Sequence, residues 1–303
     1  MTGFQGDSEQ FFQLIQQYRI VIPRARARAR SAARGFAAAR GIAGRAGRGG
    51  IQWAPSNMSN STRHFSPTSE VGAYNHRTDT FFPALSGTIT HLAWDGSTNS
   101  TLMTTFGSGS ITISSETLNG SDFRTLTSTN KNPVSGNHQK SGTEFFYAFV
   151  VKINSTFENK GLYVCGNATN GHALSFDGTS KPVLSYANSS TVTTITGSST
   201  GTTDTVQVHV VQRFGNNVRW SIDGVLCINE ETTDSGGSGN AGGKLFRDLN
   251  SSNVPDYELV EFFRSDMTAT TNMDRLKTEG YLCHKYGISL PRDHRFFRTA
   301  PTA

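Results

Sequence analysis

Three carboxylates in the second half of the chain have a spacing that glycoside chemistry can use. Asp256, Glu258 and Glu261 lie within one six-residue segment, DYELVE. Glycosidases place two carboxyl groups across the scissile bond, one as the acid and the other as nucleophile or base. On a regular strand, however, Glu258 and Glu261 face opposite surfaces of the sheet, because side chains alternate. We therefore expect structural carboxylates at a strand edge, and no enzyme.

The cysteines and histidines lack the spacing of metal ligands. Cys165, Cys227 and Cys283 are far apart and odd in number, so we predict buried packing residues rather than disulfides or a zinc site. We expect His284 and His294 to pack the C-terminal tail. Because the sequence also contains no nucleotide-binding or nucleophile motif, we predict no catalytic residue, no metal and no cofactor.

The N-terminal segment carries the positive charge of the protein. The net charge is +5, yet residues 10–69 contain ten arginines and no acidic residue, which leaves residues 70–303 mildly acidic. Residues 24–50 are a low-complexity Arg/Ala/Gly segment with too few apolar residues for a core. We predict a partner-binding arm that acts through Arg19, Arg24, Arg26, Arg28, Arg30, Arg34, Arg40, Arg45 and Arg48.

Two kinds of partner, nucleic acid and protein, are possible for this arm. Nucleic acid would bind because guanidinium groups neutralise phosphates and release counterions. A neighbouring protein subunit would instead offer carboxylates and backbone carbonyls. The helical spacing of apolar residues within residues 7–22, followed by Pro23, predicts a short amphipathic helix in residues 1–23. Residues 24–84 are then arm and linker.

Residues 85–303 are expected to form an all-β, antiparallel sandwich. Short β-branched or aromatic segments alternate with turns rich in Gly, Asn, Asp and Ser, at residues 87–94, 109–114, 145–154, 161–164, 183–187, 206–214 and 218–222. The clearest local signal is the alternation of apolar and polar residues in residues 218–226. This segment contains the turn pair Asp223-Gly224, which predicts a hairpin. We predict that Trp220, on this hairpin, and Leu282 belong to the core.

One helix is predicted near residues 273–286, with Gly287 as its stop. The residues that fall on one side of it are Met273, Leu276, Lys277, Gly280, Tyr281 and His284. A single helix after a run of strands is expected to close the sandwich. No apolar run of the sequence is long enough for a membrane-spanning helix.

Three stretches resemble the concanavalin A-like lectin/glucanase family, in the laminin-G-like form found in phage, viral and bacterial surface proteins. They are HLAWDGSTNSTL at residues 91–102, WSIDGVL at residues 220–226 and MDRLKTEGYLCHKYGISLPRDH at residues 273–294. The resemblance covers about residues 85–296. It implies a jelly roll of two antiparallel sheets, one of which often binds glycans or a protein.

The sequence departs from this family at two places. Cys283-His284 and Tyr286 stand where Ala-His or Ala-Trp and Trp are usual. Some glucanases of this fold use a Glu-x-Asp-x-x-Glu strand, whereas here Asp256 and Glu258 reverse the first two acidic positions. The resemblance therefore does not extend to a catalytic nucleophile.

Four aromatic residues are candidates for stacking on sugars: Tyr74, Trp94, Tyr186 and Trp220. Core packing is the commoner position of a strand tryptophan, so both interpretations stay open. A glycan is accordingly among the partners that the sequence predicts.

The leading functional hypothesis is a virion structural protein, a minor capsid, cement or fibre-type component assembled in the host cell. In it, the basic arm anchors the lectin-like sandwich to other capsid or virion proteins of a larger assembly. The alternative is a free glycan-binding lectin module or adhesin, and the third hypothesis is a glycoside hydrolase.

Overall fold

The structure is a computed structural model of the 303-residue chain. It describes Trp53 and residues 62–65, 74–75, 80–81, 87–89, 91–92, 103–105, 111–128, 133–135, 144–154, 158–189, 191–236, 243–245, 257–265 and 270–302. The basic arm and the helix predicted before it lie outside these residues. In the described part of the chain, no helix is long and apolar enough to cross a membrane.

Most of the described strands form two antiparallel sheets. Sheet I contains β1 (Thr62–Phe65), β4 (Gly87–Ile89), β7 (Ile111–Leu118), β8 (Ser121–Ser128), β10 (Glu144–Ile153), β15 (Val206–Phe214), β16 (Asn217–Ile222), β17 (Val225–Glu231) and β19 (Tyr257–Ser265). Its strand order is β17-β16-β15-β10-β19-β8-β7-β4, and β1 also pairs with β19.

Sheet II faces sheet I across the core. It contains β5 (His91–Leu92), β6 (Met103–Thr105), β9 (Pro133–Ser135), β11 (Gly161–Gly166), β12 (Asn170–Phe176), β13 (Pro182–Asn188), β14 (Thr191–Thr196) and β18 (Gly243–Leu245). Its order is β14-β13-β12-β11-β18-β9-β6-β5, and β2 (Tyr74–Asn75) pairs with β3 (Thr80–Phe81) separately. The predicted all-β antiparallel sandwich is confirmed.

Sheet I is buried on both of its faces at its centre. Alternate residues of β10 point to opposite sides, so Phe149 packs between the sheets, whereas Val150 packs on the outer side. Residues 145–151 are therefore all buried, and the strand is an almost unbroken apolar run. Between the sheets, Phe149 stacks on Phe262 of β19 with ring centroids 4.9 Å apart.

Helix α1 (Asn272–Tyr286) covers the outer side of sheet I. Thr271 and Asp274 form a capping box at its start, and Gly287 ends it in the left-handed conformation with φ of 71°. Leu282 of the helix belongs to the same buried cluster as Val208 and Val260 of the sheet. The predicted helix, its stop and the core position of Leu282 are confirmed.

The buried face of α1 differs from the side that its apolar residues indicated. The structure buries Arg275, Thr278, Glu279, Leu282 and Cys283, which are not on the predicted side. Of the residues predicted to share one side of the helix, Gly280 is buried. Arg275 and Glu279 are buried because they form an i,i+4 ion pair with each other. The spacing of apolar residues along the helix could not predict that Arg275 and Glu279 are buried. Their burial also depends on hydrogen-bonding groups of the sheet and of the C-terminal tail.

The predicted hairpin at Asp223-Gly224 is confirmed. Ile222 pairs with Val225, and the two turn residues have φ of 51° and 81°, as a type I′ turn requires. Gly224 also lies close to the tail, because a Cβ atom there would sit 2.7 Å from the Leu290 side chain. The turn therefore needs glycine for two reasons.

The boundary expected at residue 85 is corrected. β1 extends sheet I by pairing with β19, from Thr62 opposite Ser265 to Phe65 opposite Phe262. Trp53 is buried against Tyr281, and its amide donates to the Pro301 carbonyl at 3.0 Å. The chain divides into Met1–Arg48 and Gly49–Ala303. A polar composition suggested a linker here, but main-chain pairing and one large side chain join this segment to the sandwich.

Candidate functional site

The arm arginines from Arg19 to Arg48 lie outside the described residues. They belong to the unit Met1–Arg48, whereas the sandwich belongs to the other unit. Their role in binding a partner stays a prediction.

Two of the four aromatic residues proposed for sugar stacking are buried. Trp220 is 0% exposed and Tyr186 is 2% exposed, and both belong to the core between the sheets. A sugar cannot stack on a ring that is enclosed on both faces, so we correct this interpretation for these two residues. The core position predicted for Trp220 is confirmed. Tyr74 lies in β2, and Trp94 lies outside the described residues.

The carboxylates of the DYELVE segment do not face opposite surfaces. A β-bulge shifts the register of β10 against β19 between Val150 and Val151, which pair with Glu261 and Leu259. The extra residue lets Glu258 and Glu261 share the outer side of sheet I, where their partners lie. Sequence reasoning assumed a regular strand, and the bulge overturns that assumption.

Glu261 and Glu258 nevertheless have different surroundings. Glu261 is 1% exposed, and its Oε2 accepts hydrogen bonds from Lys285 Nζ at 2.7 Å and from the Tyr286 hydroxyl. Glu258 accepts from the Thr125 hydroxyl at 2.5 Å and from Asn154 Nδ2 at 3.3 Å. Each carboxylate is thus held by structural partners, and Glu261 joins sheet I to α1.

A second polar group, Ser221, Glu279 and His294, contains the residue types of a hydrolytic triad but not its connections. In such a triad histidine takes the proton of serine. Here the Ser221 hydroxyl donates to Glu279 Oε1, and His294 Nε2 lies 2.9 Å from Glu279 Oε2. Both interactions converge on the carboxylate, which is fully buried. This group ties the tail to the helix and the hairpin.

The two tail histidines have the packing role that their position in the sequence predicted. His294 binds Glu279, and its Nδ1 accepts from the Phe296 amide at 3.2 Å. His284 Nε2 lies 2.7 Å from the Phe296 carbonyl. The three cysteines are buried, as predicted. The described residues contain no group of His, Cys, Asp and Glu that could hold a metal ion.

The most unusual chemistry lies at one end of the sandwich. We call this group the Arg213 cluster, and define it as Phe145, His172, Tyr186, Arg213 and Asp234. Arg213 ends the inward face of β15 and opposes Phe145 on β10, while His172 opposes Tyr186 across β12 and β13 of sheet II. The guanidinium carbon lies 4.6 Å from the centre of the Tyr186 ring. Phe145 and His172 stack with ring centroids 4.3 Å apart.

Arg213 is a buried cation with incomplete hydrogen bonding. It is 1% exposed, its Nε donates to the Gly215 carbonyl at 3.0 Å, and its Nη2 donates to the Thr232 carbonyl at 3.4 Å. Its Nη1 has no hydrogen-bond partner, and it makes no ion pair with a described carboxylate. Burial of a charge is costly unless the charge is paired, so this position calls for an acceptor.

The Tyr186 hydroxyl is buried in the same cluster. Burial raises the pKa of Tyr186 well above its usual range and outweighs the opposing effects of the Arg213 charge and of a hydrogen bond with Arg213. The hydroxyl therefore keeps its proton at every physiological pH. The Arg213 cluster thus combines a buried guanidinium with a buried, protonated phenol.

Residues 232–236 border this end of the sandwich. Thr232 and Asp234 are half-buried, and the Thr232 hydroxyl donates to Asp234 Oδ2 at 3.3 Å. The Asp234 charge also acts to raise the pKa of Tyr186. Gly236 is buried against Gly171, since a Cβ atom there would lie 2.3 Å from the Gly171 carbonyl oxygen. Thr232 and Asp234 are thus half-buried residues at this end of the sandwich.

Sequence reasoning did not select Arg213 or Asp234. The signal was present in VQVHVVQRF, where Arg213 has the same parity as the inward-facing His209 and Val211. A charged residue at an inward position of an apolar strand is a candidate for function. Its partners from sheet II are far away in sequence, so the cluster itself was not visible.

No family model matches this chain, and no curated protein matches it. Solved structures with some similarity include the binding domain of Paraclostridial Mosquitocidal Protein 1, at 12% identity and a TM-score of 0.42; the alignment covers 54% of this chain and 44% of that one. The Ruminococcus gnavus IT-sialidase CBM40 bound to alpha2,3 sialyllactose has 10% identity, coverage of 46% and 83%, and a TM-score of 0.39.

Domain 4 of AbnA, a GH43 extracellular arabinanase from Geobacillus stearothermophilus, in complex with arabinotriose, has 15% identity, coverage of 70% and 94%, and a TM-score of 0.40. This chain thus spans less than half of the mosquitocidal-protein domain. All three TM-scores are below 0.5, so these similarities carry no argument about the ligand of this protein. The site has to be interpreted from its own geometry.

Proposed function

We propose that the β-sandwich is a glycan-binding module and that the Arg213 cluster is its binding site. The observation that carries this proposal is Arg213, a buried cation whose Nη1 has no hydrogen-bond partner and which forms no ion pair with a described carboxylate. Buried charges are nearly always paired in native proteins, so a buried cation in this state favours a site for a ligand. The half-buried Asp234, whose charge acts on Tyr186, adds an acceptor at this end of the sandwich.

This set of groups matches the chemistry of a sugar. Sugar hydroxyls and ring substituents both donate and accept hydrogen bonds, and the cluster offers guanidinium and phenol donors together with a carboxylate acceptor. A binding site with a few polar groups set among apolar and aromatic side chains is the usual arrangement for small ligands. Phe145 and Tyr186 provide these aromatic surroundings.

A binding module accounts for the site better than a hydrolase does. Hydrolysis of a glycoside needs two carboxyl groups that flank a bound substrate. Asp234 is the carboxylate of the Arg213 cluster, whereas Glu258 and Glu261 are engaged with side chains of the sheet and of α1. The site therefore holds a sugar without the groups needed to cleave it.

The test is binding of the full chain to an array of oligosaccharides, followed by titration of those that bind. Arg213→Gln removes the charged donor and should abolish binding. Arg219→Gln is the matched control, because Arg219 lies on β16 and donates to Asn229 Oδ1 outside the cluster. We expect the control to bind like the unaltered protein. Circular dichroism establishes that each variant is folded.

Failure of the unaltered chain to bind any member of a broad array would refute the proposal. Equal loss of binding in both arginine variants would also refute it, since charge in general rather than this cluster would then matter.

A second candidate function concerns the N-terminal unit. The nine arginines from Arg19 to Arg48, without an acidic residue among them, favour an arm that anchors the sandwich in a larger assembly. The virion role, with capsid proteins or nucleic acid as partners and the virion as location, belongs to this proposal. In it, the glycan-binding sandwich is the part displayed on the particle.

Deletion of residues 1–48 separates the two proposals. An anchoring arm predicts loss of incorporation into particles while glycan binding by residues 49–303 persists. Steep log-linear weakening of arm binding with salt would identify nucleic acid as the partner, whereas a shallow dependence would identify protein. Unchanged incorporation would refute the anchoring role.

A further inference from the structure

We infer that β14, the edge strand of sheet II, is an interface at which a second copy of this chain binds by antiparallel strand pairing about a two-fold axis. The inference does not depend on the proposed glycan binding. It follows from the direction of the main-chain groups of β14, from its side chains and from its lack of charge.

The main-chain groups at the free edge of β14 can be assigned from its pairing with β13. In an antiparallel ladder, residue pairs that exchange hydrogen bonds alternate with pairs that do not. The Gly197 amide donates to the Pro182 carbonyl at 2.8 Å, and this pair continues the register of the two strands. The residues that direct both N–H and C=O away from β13 are therefore Val192, Thr194 and Thr196.

This edge of the sandwich is accessible. The three residues are exposed, and in the described part of the chain β14 ends the strand order of sheet II. Apolar side chains lie along the same border: Val192 is 49% exposed, and Val225 and Leu226 of β17 are also exposed. Just after β14, the Ser198 amide donates to the Cys227 carbonyl of β17 at 2.8 Å, so the two edge strands are neighbours.

The two edge strands differ in how they are protected against pairing. Natural sheets blunt their edges with charged side chains, prolines or bulges. β17 carries Glu230 and Glu231, and a bulge shifts its register against β16 between Trp220 and Ser221. β14 has no charge, no proline and no register shift, and each of its residues, TVTTIT, is β-branched. A strand of this composition at an exposed edge favours pairing with another strand.

A copy of β14 fits this edge. A two-fold axis at Thr194, perpendicular to sheet II, places this residue opposite its own copy and Val192 opposite Thr196 of the second copy. In that register each outward-directed N–H and C=O group of both strands has a partner, because the same three residues face each other. Sheet II then continues from one copy into the next.

The absence of charge also favours a second copy as the partner. A two-fold axis brings the charges of an interface near their own copies, and like charges opposite each other destabilise a sheet. No charged residue lies between Lys181 and Asp204, so self-pairing of β14 meets no such repulsion. A different protein would have no charged group here by which to be selected.

The first experiment measures the mass of the full chain against its concentration by sedimentation equilibrium. We expect a dimer that dissociates on dilution. Thr194→Lys places two positive charges opposite each other and should raise the dissociation constant about tenfold or more. Thr203→Lys is the matched control, because Thr203 is exposed in a turn outside β14, and it should dimerise like the unaltered protein. Circular dichroism establishes that each variant is folded.

The second experiment tests which residues face each other. Thr194→Glu alone should also weaken the dimer, whereas an equimolar mixture with Thr194→Lys should restore it, because opposite charges then meet. Cα atoms of a hydrogen-bonded antiparallel pair lie about 5.5 Å apart, within the range of a disulfide. Thr194→Cys should therefore form a covalent dimer on oxidation, and Thr203→Cys should not.

Three results would overturn the inference. One is a chain that remains monomeric at every concentration, and another is a dimer that Thr194→Lys and Thr203→Lys affect alike. The third is a mixture of the lysine and glutamate variants that stays monomeric, which would leave β14 to the strand of a different protein. Glycan binding by a monomeric chain would keep the proposed function while refuting the dimer.

Discussion

His209 makes the stability of the sandwich depend on pH in a calculable way. It is fully buried on β15, where Trp220 Nε1 donates to its Nδ1 at 3.3 Å. The proton of the neutral ring is therefore on Nε2, which has no hydrogen-bond partner. Burial lowers the pKa of His209 from 6.5 to about 3. The folded protein keeps this ring neutral throughout the mildly acidic range.

The sign follows from proton binding in the two states. Between about pH 6.5 and pH 3 the unfolded chain holds a proton on this histidine and the folded chain does not, so the free energy of unfolding falls as the pH is lowered. The slope is about 1.4 kcal/mol per pH unit. From pH 7 to pH 5 the loss due to His209 is thus about 2 kcal/mol.

Asp223 opposes this effect. Burial raises its pKa from 3.8 to about 6, although Oδ1 accepts from the Val208 amide at 2.7 Å. Between these two pKa values the folded state binds more protons than the unfolded state, so acid stabilises the protein through this group. From pH 7 to pH 5 the gain is about 1 kcal/mol.

The assay is urea unfolding of three full-length proteins at pH 7 and pH 5. His209→Gln removes the titrating ring and offers an amide oxygen to Trp220, so its loss on acidification should be about 2 kcal/mol smaller than that of the unaltered protein. Asp223→Asn keeps the turn and the acceptor, and its loss should be about 1 kcal/mol larger. Other titrating groups are common to all three proteins and cancel in the differences.

Two results would refute this reasoning. Identical pH dependence in His209→Gln and the unaltered protein would mean that His209 titrates alike in both states. A smaller acid loss in Asp223→Asn would mean that the Asp223 carboxylate is not destabilised by burial.

Three further sets of substitutions test the packing. Glu279→Ala leaves a buried arginine unpaired and should cost about 3–5 kcal/mol in chemical denaturation; a cost below 1 kcal/mol would show that the ion pair is unimportant. Trp220→Ala and Leu282→Ala should each cost about 2–5 kcal/mol, and a loss under about 0.5 kcal/mol would place the residue at the surface. Gly224→Ala puts a Cβ atom on a residue with positive φ and brings that atom against the C-terminal tail. Gly215→Ala also has positive φ, but no atom lies within 4 Å of the added Cβ, so Gly224→Ala should lower the melting temperature more.

Local patterns were sufficient for the class of fold and for several of its parts. The alternation around Trp220, the Asp223-Gly224 turn and the helix that stops before Gly287 all depend on near neighbours in sequence. The inward position of Trp220 follows from the period of two in a strand. Such features need no knowledge of distant residues, and the structure confirms them.

Features that depend on partners far along the chain were not predictable. The buried face of α1 contains Arg275 and Glu279, because Ser221 and His294 complete the hydrogen bonds of the glutamate. Trp53 joins the sandwich through Tyr281 and Pro301, which come more than 200 residues later. Residue spacing therefore indicated the wrong buried face for the helix, and composition indicated a linker for the segment that contains Trp53.

For the candidate site, the sequence alone determined that the acidic residues of DYELVE do not have the order of the Glu-x-Asp-x-x-Glu strand of some glucanases. Only the tertiary structure decided what those residues do. The bulge opposite Val150 brought Glu258 and Glu261 to one side of sheet I. The packing of sheet II placed Tyr186 beside Arg213. Whether a charged group is paired or left with an open donor depends on which atoms surround it, and this environment is created when distant strands meet.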